Sequence, residues 1–74
     1  MDIKRGIYRH FKGGDYMVTG VAVHSETQEQ LVVYRPLYGA YQLMVRPRMM
    51  FTEEVQRDGY RGPRFRLVQE FNES

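Results

Sequence analysis

The chain has 74 residues, a formal net charge of +2 and no cysteine. That length makes one domain, near the size at which a single hydrophobic core suffices only marginally without disulfides, metals or oligomerisation. The missing cysteines exclude a disulfide framework, thiolate chemistry and a zinc knuckle, and no apolar stretch approaches the roughly 18 residues of a membrane span.

Met1-Asp2-Ile3-Lys4-Arg5-Gly6 leads into no apolar signal region, so a cytoplasmic protein with no membrane partner is expected. Residues 1–5 and 72–74 are expected to fray at the ends of the single domain. Gly6 to Phe11 reads as a first strand, and Lys12-Gly13-Gly14-Asp15 as a Gly-Gly turn into a long second strand, Tyr16 to His24. In the second strand Met17, Val21 and Val23 share one parity and Tyr16, Val18 and Ala22 the other, so both faces are expected to be at least partly covered, with a bulge or bend at Gly20. Ser25 to Gln30 forms a polar hairpin turn. Leu31 to Arg35 is the third strand, rich in the β-branched and aromatic residues that suit a pleated surface, and Pro36 ends it because it cannot donate a ladder hydrogen bond.

Leu37 to Tyr41 connects to a fourth strand, Gln42 to Arg46, stopped in turn by Pro47. Met49 to Val55 is too short for an independent helix. It reads as one helical or 3₁₀ turn in which Phe51 and Val55 meet. Asp58-Gly59 signals a further turn, and Arg64-Phe65-Arg66-Leu67 alternates as a last strand with Phe65 and Leu67 inward and both arginines outward. Five short strands, tight turns and one helical turn predict an all-β protein, a small bent barrel, because a lone flat sheet of this size leaves a face and two edges uncovered.

The blocks Gly6-Ile7-Tyr8-Arg9-His10-Phe11-Lys12-Gly13, His24-Ser25-Glu26-Thr27, Val32-Val33-Tyr34-Arg35-Pro36-Leu37-Tyr38-Gly39 and Val45-Arg46-Pro47, with Met50-Phe51, together resemble the bacterial family known as domain of unknown function 1653. The resemblance runs from about Gly6 to Phe65. It implies an SH3-like β-barrel and a soluble bacterial protein, and it brings no catalytic residues with it. Two positions depart from the family pattern: Gln28 where a glycine is usual, which is expected to alter the hairpin turn, and Met44 where an aromatic residue is common.

The bulk charge is too small to predict nucleic-acid or membrane binding by itself. Its kind is more telling, for nine of the eleven cations are arginine and ten Phe and Tyr accompany them. Tyr34, Arg35, Tyr38, Tyr41, Arg46 and Arg48 fall at the ends of two sequential strands, where guanidinium groups can hold phosphate or carboxylate and tyrosines can stack on flat ligands. They are the predicted ligand surface, and the predicted function is a non-enzymatic binding module for a protein or nucleic-acid partner. The competing structural reading pairs Arg35 and Arg46 with Glu26, Glu53 or Glu54 and uses the tyrosines to cover the barrel's open end.

His24 and Glu26 share a face of an extended strand and offer an alternative, a small-ligand sensor or minor enzyme working by acid-base chemistry, although a hairpin hydrogen-bond role suits them as well. His10 and His24 match no metal-ligand spacing, and Gly13-Gly14 lacks the Lys-Ser/Thr of a phosphate loop, so neither a metal nor a cofactor is expected. Arg61, Arg64 and Arg66 would form a basic stripe with Lys4, Arg5, Arg9 and Lys12 if the first and last strands met, with Asp2, Asp58, Glu70 and Glu73 available to cancel it. Met44, Met49, Met50 and Phe51 read as core filler, with a homodimer contact as the alternative; a monomer or weak homodimer is expected.

Overall fold

A computed structural model describes residues 3–71. Its elements are β1 (Gly6–His10), β2 (Asp15–Val23), β3 (Gln30–Pro36), β4 (Met44–Pro47), α1 (Arg48–Phe51), β5 (Glu54–Arg57), β6 (Tyr60–Pro63) and β7 (Phe65–Glu70). Five of the strands form one antiparallel sheet in the order β4-β3-β2-β1-β7, and β5 and β6 pair separately. The result is the expected all-β, barrel-like fold.

Alternation builds the core. Tyr8 from β1, Val18 from β2, Val32 and Tyr34 from β3 and Phe65 from β7 point to one side of the sheet, and Phe51 from α1 closes over them; Val18 and Val32 are fully buried. Phe51 stacks on Phe65 with ring centroids 4.4 Å apart and meets Tyr8 edge-on at 5.3 Å. Pro47 turns the chain from β4 into the four-residue helix, which brings Phe51 inward.

Three expectations change. Phe51 and Val55 do not share a helical turn, because the helix ends at Phe51 and Val55 is buried in β5. The Asp58-Gly59 signal is the reason: both residues have positive φ (52° and 82°), the requirement of a two-residue type I′ hairpin, and this draws 54–63 into a ribbon. The second strand is covered only in its first half. Its register slips between Val18 and Gly20, a bulge where one was expected, so Val18 and Val21 pair with inward-facing Tyr34 and Val32, yet beyond the bulge Val21, Ala22 and Val23 are exposed. Met44, Met49 and Met50 are no core filler either: Met49 is 85 % exposed, and of that set only Phe51 is buried.

Gln28 has φ of 65°, so a residue other than glycine holds a left-handed position in this hairpin. Of the segments expected to fray, Met1, Asp2 and 72–74 lie outside the described residues. Ile3 packs against the core, the Lys4 carbonyl accepts the Tyr8 hydroxyl at 2.7 Å and the Arg5 carbonyl accepts the Phe71 N–H at 2.9 Å. Among the described residues no helix is long and apolar enough to cross a membrane.

Candidate functional site

The alternation of β3 divides the predicted ligand surface. Tyr34 faces inward and is 3 % exposed, so an expected ligand contact is a core residue instead. Arg35 takes the opposite face, where its Nη1 donates to the Tyr41 carbonyl, and this holds the exposed connection that carries Tyr41. Arg48 belongs to the other end of β3 and donates to the Gln30 side chain. Neither arginine pairs with a carboxylate among the described residues. Tyr38 does lie at the predicted end: the Leu37 N–H bonds the Asp15 carbonyl, and the Tyr38 ring reaches across to share a hydroxyl hydrogen bond with Tyr16 at 2.5 Å. Gly14 makes room for it, since a Cβ there would lie 3.1 Å from the Tyr38 ring.

Arg46 is cross-strand from Val32 and therefore on the core side of the sheet. Its guanidinium carbon sits 5.6 Å from the Phe65 ring centroid. Phe65 in turn contacts the edges or faces of His10 (5.0 Å) and Tyr16 (5.3 Å). His10 pairs with Phe65 across β1 and β7, and the Phe11 N–H bonds the Arg64 carbonyl, which brings Arg64 to the same end. Arg64 is half-buried rather than outward-facing, and its Nη2 meets Glu53 at 2.7 Å.

These residues form a cationic, aromatic end of the barrel. The Nε atoms of Arg46 and Arg64 are both buried without a hydrogen-bond partner among the described residues. A guanidinium has only donors, so such atoms call for an acceptor. The charge is felt locally: burial pushes the His10 pKa below 6.5, and Arg64, Arg46 and Lys12 push it the same way. Burial and the bond to Tyr38 push the Tyr16 phenol up to about 12, so it stays protonated at any ordinary pH. His10 Nδ1 accepts the Lys12 N–H at 3.1 Å, which leaves Nε2 as the protonated nitrogen of the neutral ring.

Of these groups, sequence reasoning singled out Arg46 and Tyr38 and missed His10, Tyr16 and Phe65 as a set. The available signal was the inward parity of Phe65 and the possibility that the first and last strands pair. They do pair, through all of Gly6 to His10. Acidic partners also break up the predicted basic stripe, for Lys4 binds Glu70 (3.6 Å), Arg9 binds Asp15 (2.8 Å) and Arg64 binds Glu53 (2.7 Å).

His24 and Glu26 are not arranged for acid-base work. The His24 Nδ1 accepts the backbone N–H groups of Glu26 and Thr27 at 3.1 and 3.3 Å, which makes the ring a cap for its own hairpin turn. No contact joins the ring to the Glu26 carboxylate, and the whole turn is exposed. Among the described residues no three side chains of the His, Asp and Glu types gather as metal ligands.

The sequence model of a family described as "Protein of unknown function (DUF1653)" matches residues 6–67. A crystal structure of a protein belonging to DUF1653 from Bordetella bronchiseptica is similar throughout, with a TM-score of 0.85 and 33% identity over 99% of this chain and 96% of that one. No curated protein matches the chain.

Proposed function

Starting from the premise that the chain belongs to the DUF1653 family of proteins of unknown function, we propose that it is a non-enzymatic binding module whose Arg46–Phe65 end receives an anionic group, phosphate or carboxylate, of a partner molecule in the cytoplasm. The observation that carries the reading is the pair of buried, unpartnered Nε atoms on Arg46 and Arg64, set on one aromatic cluster with His10. Guanidinium groups recognise oxyanions through paired N–H donors, and partial burial strengthens that recognition. Tyr16 and Tyr38 supply hydroxyls at the same end. The predicted surface thus contracts to Arg46 and Tyr38 and gains His10, Tyr16 and Arg64.

Titrating the protein with inorganic phosphate while following His10 by NMR tests this. A bound anion offsets the two guanidinium charges, so the His10 pKa rises toward 6.5 as phosphate is added, and it does so in wild type but not in a folded Arg46→Met variant. A His10 pKa indifferent to phosphate would sink the reading.

A second reading has its own observation. β4 is an edge strand that carries exposed Met44 and Val45 and is flanked by exposed Leu43 and Met49, an apolar margin that suits self-association. Sedimentation at high concentration tests it, and a monomer throughout removes it.

A further inference from the structure

The outer face of β1 and β7 carries a second feature, built from residues other than Arg46 and Arg64. The antiparallel register sets Arg9 directly across from Arg66, and alternation sends both side chains outward. Two like charges at facing positions repel. Asp15 neutralises Arg9 through two hydrogen bonds, but Arg66 has no acidic partner among the described residues. Beside them β1 runs into Phe11, whose ring stacks on Tyr60 of the β5–β6 ribbon at 5.3 Å and 18°. Tyr60 is held in place by its hydroxyl, which donates to the Pro63 carbonyl at 2.7 Å. Lys12 Nζ lies 5.8 Å from the Phe11 ring centroid.

Arg9, His10, Phe11, Gly13, Tyr60 and Arg66 line a cleft of about 230 Å³. No acidic side chain is among them. Arg61, next to Tyr60, and Arg57, cross-strand from it, add two exposed cations without acidic partners among the described residues. An aromatic wall flanked by exposed unpaired cations is the arrangement that takes a sugar-phosphate backbone together with a planar base.

We propose that this cleft binds single-stranded nucleic acid, with Arg66 and Lys12 on backbone phosphates and a base packed against the Phe11–Tyr60 wall. An acidic peptide would satisfy the cations but bring no regular planar group to the rings. A duplex hides its base faces, and the exposed ribbon tip offers no helix to enter its groove. The cleft shares His10 with the Arg46–Phe65 end but uses neither Arg46 nor Arg64, so loss of the Arg46-dependent His10 response to phosphate and loss of oligonucleotide binding are separate outcomes.

The full chain is titrated with a labelled oligouridine of about twelve nucleotides, the matching duplex and inorganic polyphosphate, each at low and moderate salt. The expected result is binding of the single strand that weakens with salt and exceeds binding of the duplex. Arg66→Glu and Lys12→Glu, both exposed substitutions, weaken it, and Arg66→Ala lowers the salt slope by about 1. Tyr60→Leu, or Phe11→Leu if that variant does not fold, weakens the oligouridine while leaving polyphosphate binding unchanged. Failure of the folded wild type to bind the single strand at low salt overturns the proposal. So does wild-type affinity in Arg66→Glu, equal binding of duplex, or polyphosphate competing charge for charge with the oligonucleotide.

Discussion

Arg46 lies over the face of Phe65, its guanidinium carbon 5.6 Å from the ring centroid, while its Nε is buried and bonded to nothing among the described residues. The two facts oppose each other energetically. A cation over a ring is worth about 0.5 to 2 kcal/mol, whereas a buried donor left unsatisfied costs about 1 to 3 kcal/mol.

Arg46→Met therefore stabilises the protein by about 1 kcal/mol, because the thioether keeps the packing on Phe65 and removes the orphaned donor. Urea denaturation measures the difference. Stabilisation combined with loss of phosphate binding marks Arg46 as a residue kept for recognition at the expense of stability. A loss of stability above about 1 kcal/mol would instead make the cation–ring contact structural.

The stability of the fold depends on pH through His10. Its folded pKa is lowered, chiefly by burial and then by Arg64, Arg46 and Lys12, below an unfolded value of 6.5. The unfolded chain therefore binds the proton first, and stability rises with pH across that interval. The contribution is complete above about pH 6.5 and is lost as the pH falls through the folded value. Protonation of Nδ1 also removes the acceptor of the Lys12 N–H. Thermal unfolding between pH 7.5 and 5 should show a decline that is reduced in His10→Gln; a decline of the same size in that variant assigns it elsewhere.

Gly6 is buried where β1 meets β7, and a Cβ on it would run into the Gln69 backbone carbonyl. The nearest atoms are all backbone of Gln69 and Glu70, which leaves no flexible side chain to give way. Gly6→Ala costs about 2 to 3 kcal/mol, a large share of the stability of so small a domain, and chemical denaturation reads it directly.

Gln28 holds φ of 65° in the hairpin between β2 and β3. Its amide donates to the Ser25 carbonyl at 3.2 Å on an exposed turn, a bond that water replaces at small cost. Gln28→Gly relieves the left-handed strain and stabilises by about 0.5 to 1 kcal/mol, seen as a raised denaturation midpoint with an unchanged slope.

Much of the fold is legible in the sequence because its signals are local. Alternation placed Phe65 inward, Pro36 and Pro47 ended their strands, and Gly20 marked the bulge. The β5–β6 ribbon was harder to read, since its only strong signal is the Asp58-Gly59 turn and its strands are mostly polar. The methionines were misjudged because composition does not say which side of a short edge strand faces water.

The candidate site was legible in kind and not in membership. Arginines and tyrosines gathered near Pro36 and Pro47 announced a cationic, aromatic region, yet period-two alternation put Tyr34 inside and Arg35 on the opposite face. The sequence by itself determined the all-β class, the order of the main turns and the abundance of guanidinium groups among rings, all of which depend on neighbours in the chain. Only the tertiary structure decided that His10, Arg46 and Arg64 act on one another, and that Arg9 and Arg66 stand opposite. The second follows from the pairing of β1 with β7, a contact between opposite ends of the chain that no local pattern encodes, and the first needs in addition the bend of the sheet that carries Arg46 of β4 over Phe65 of β7.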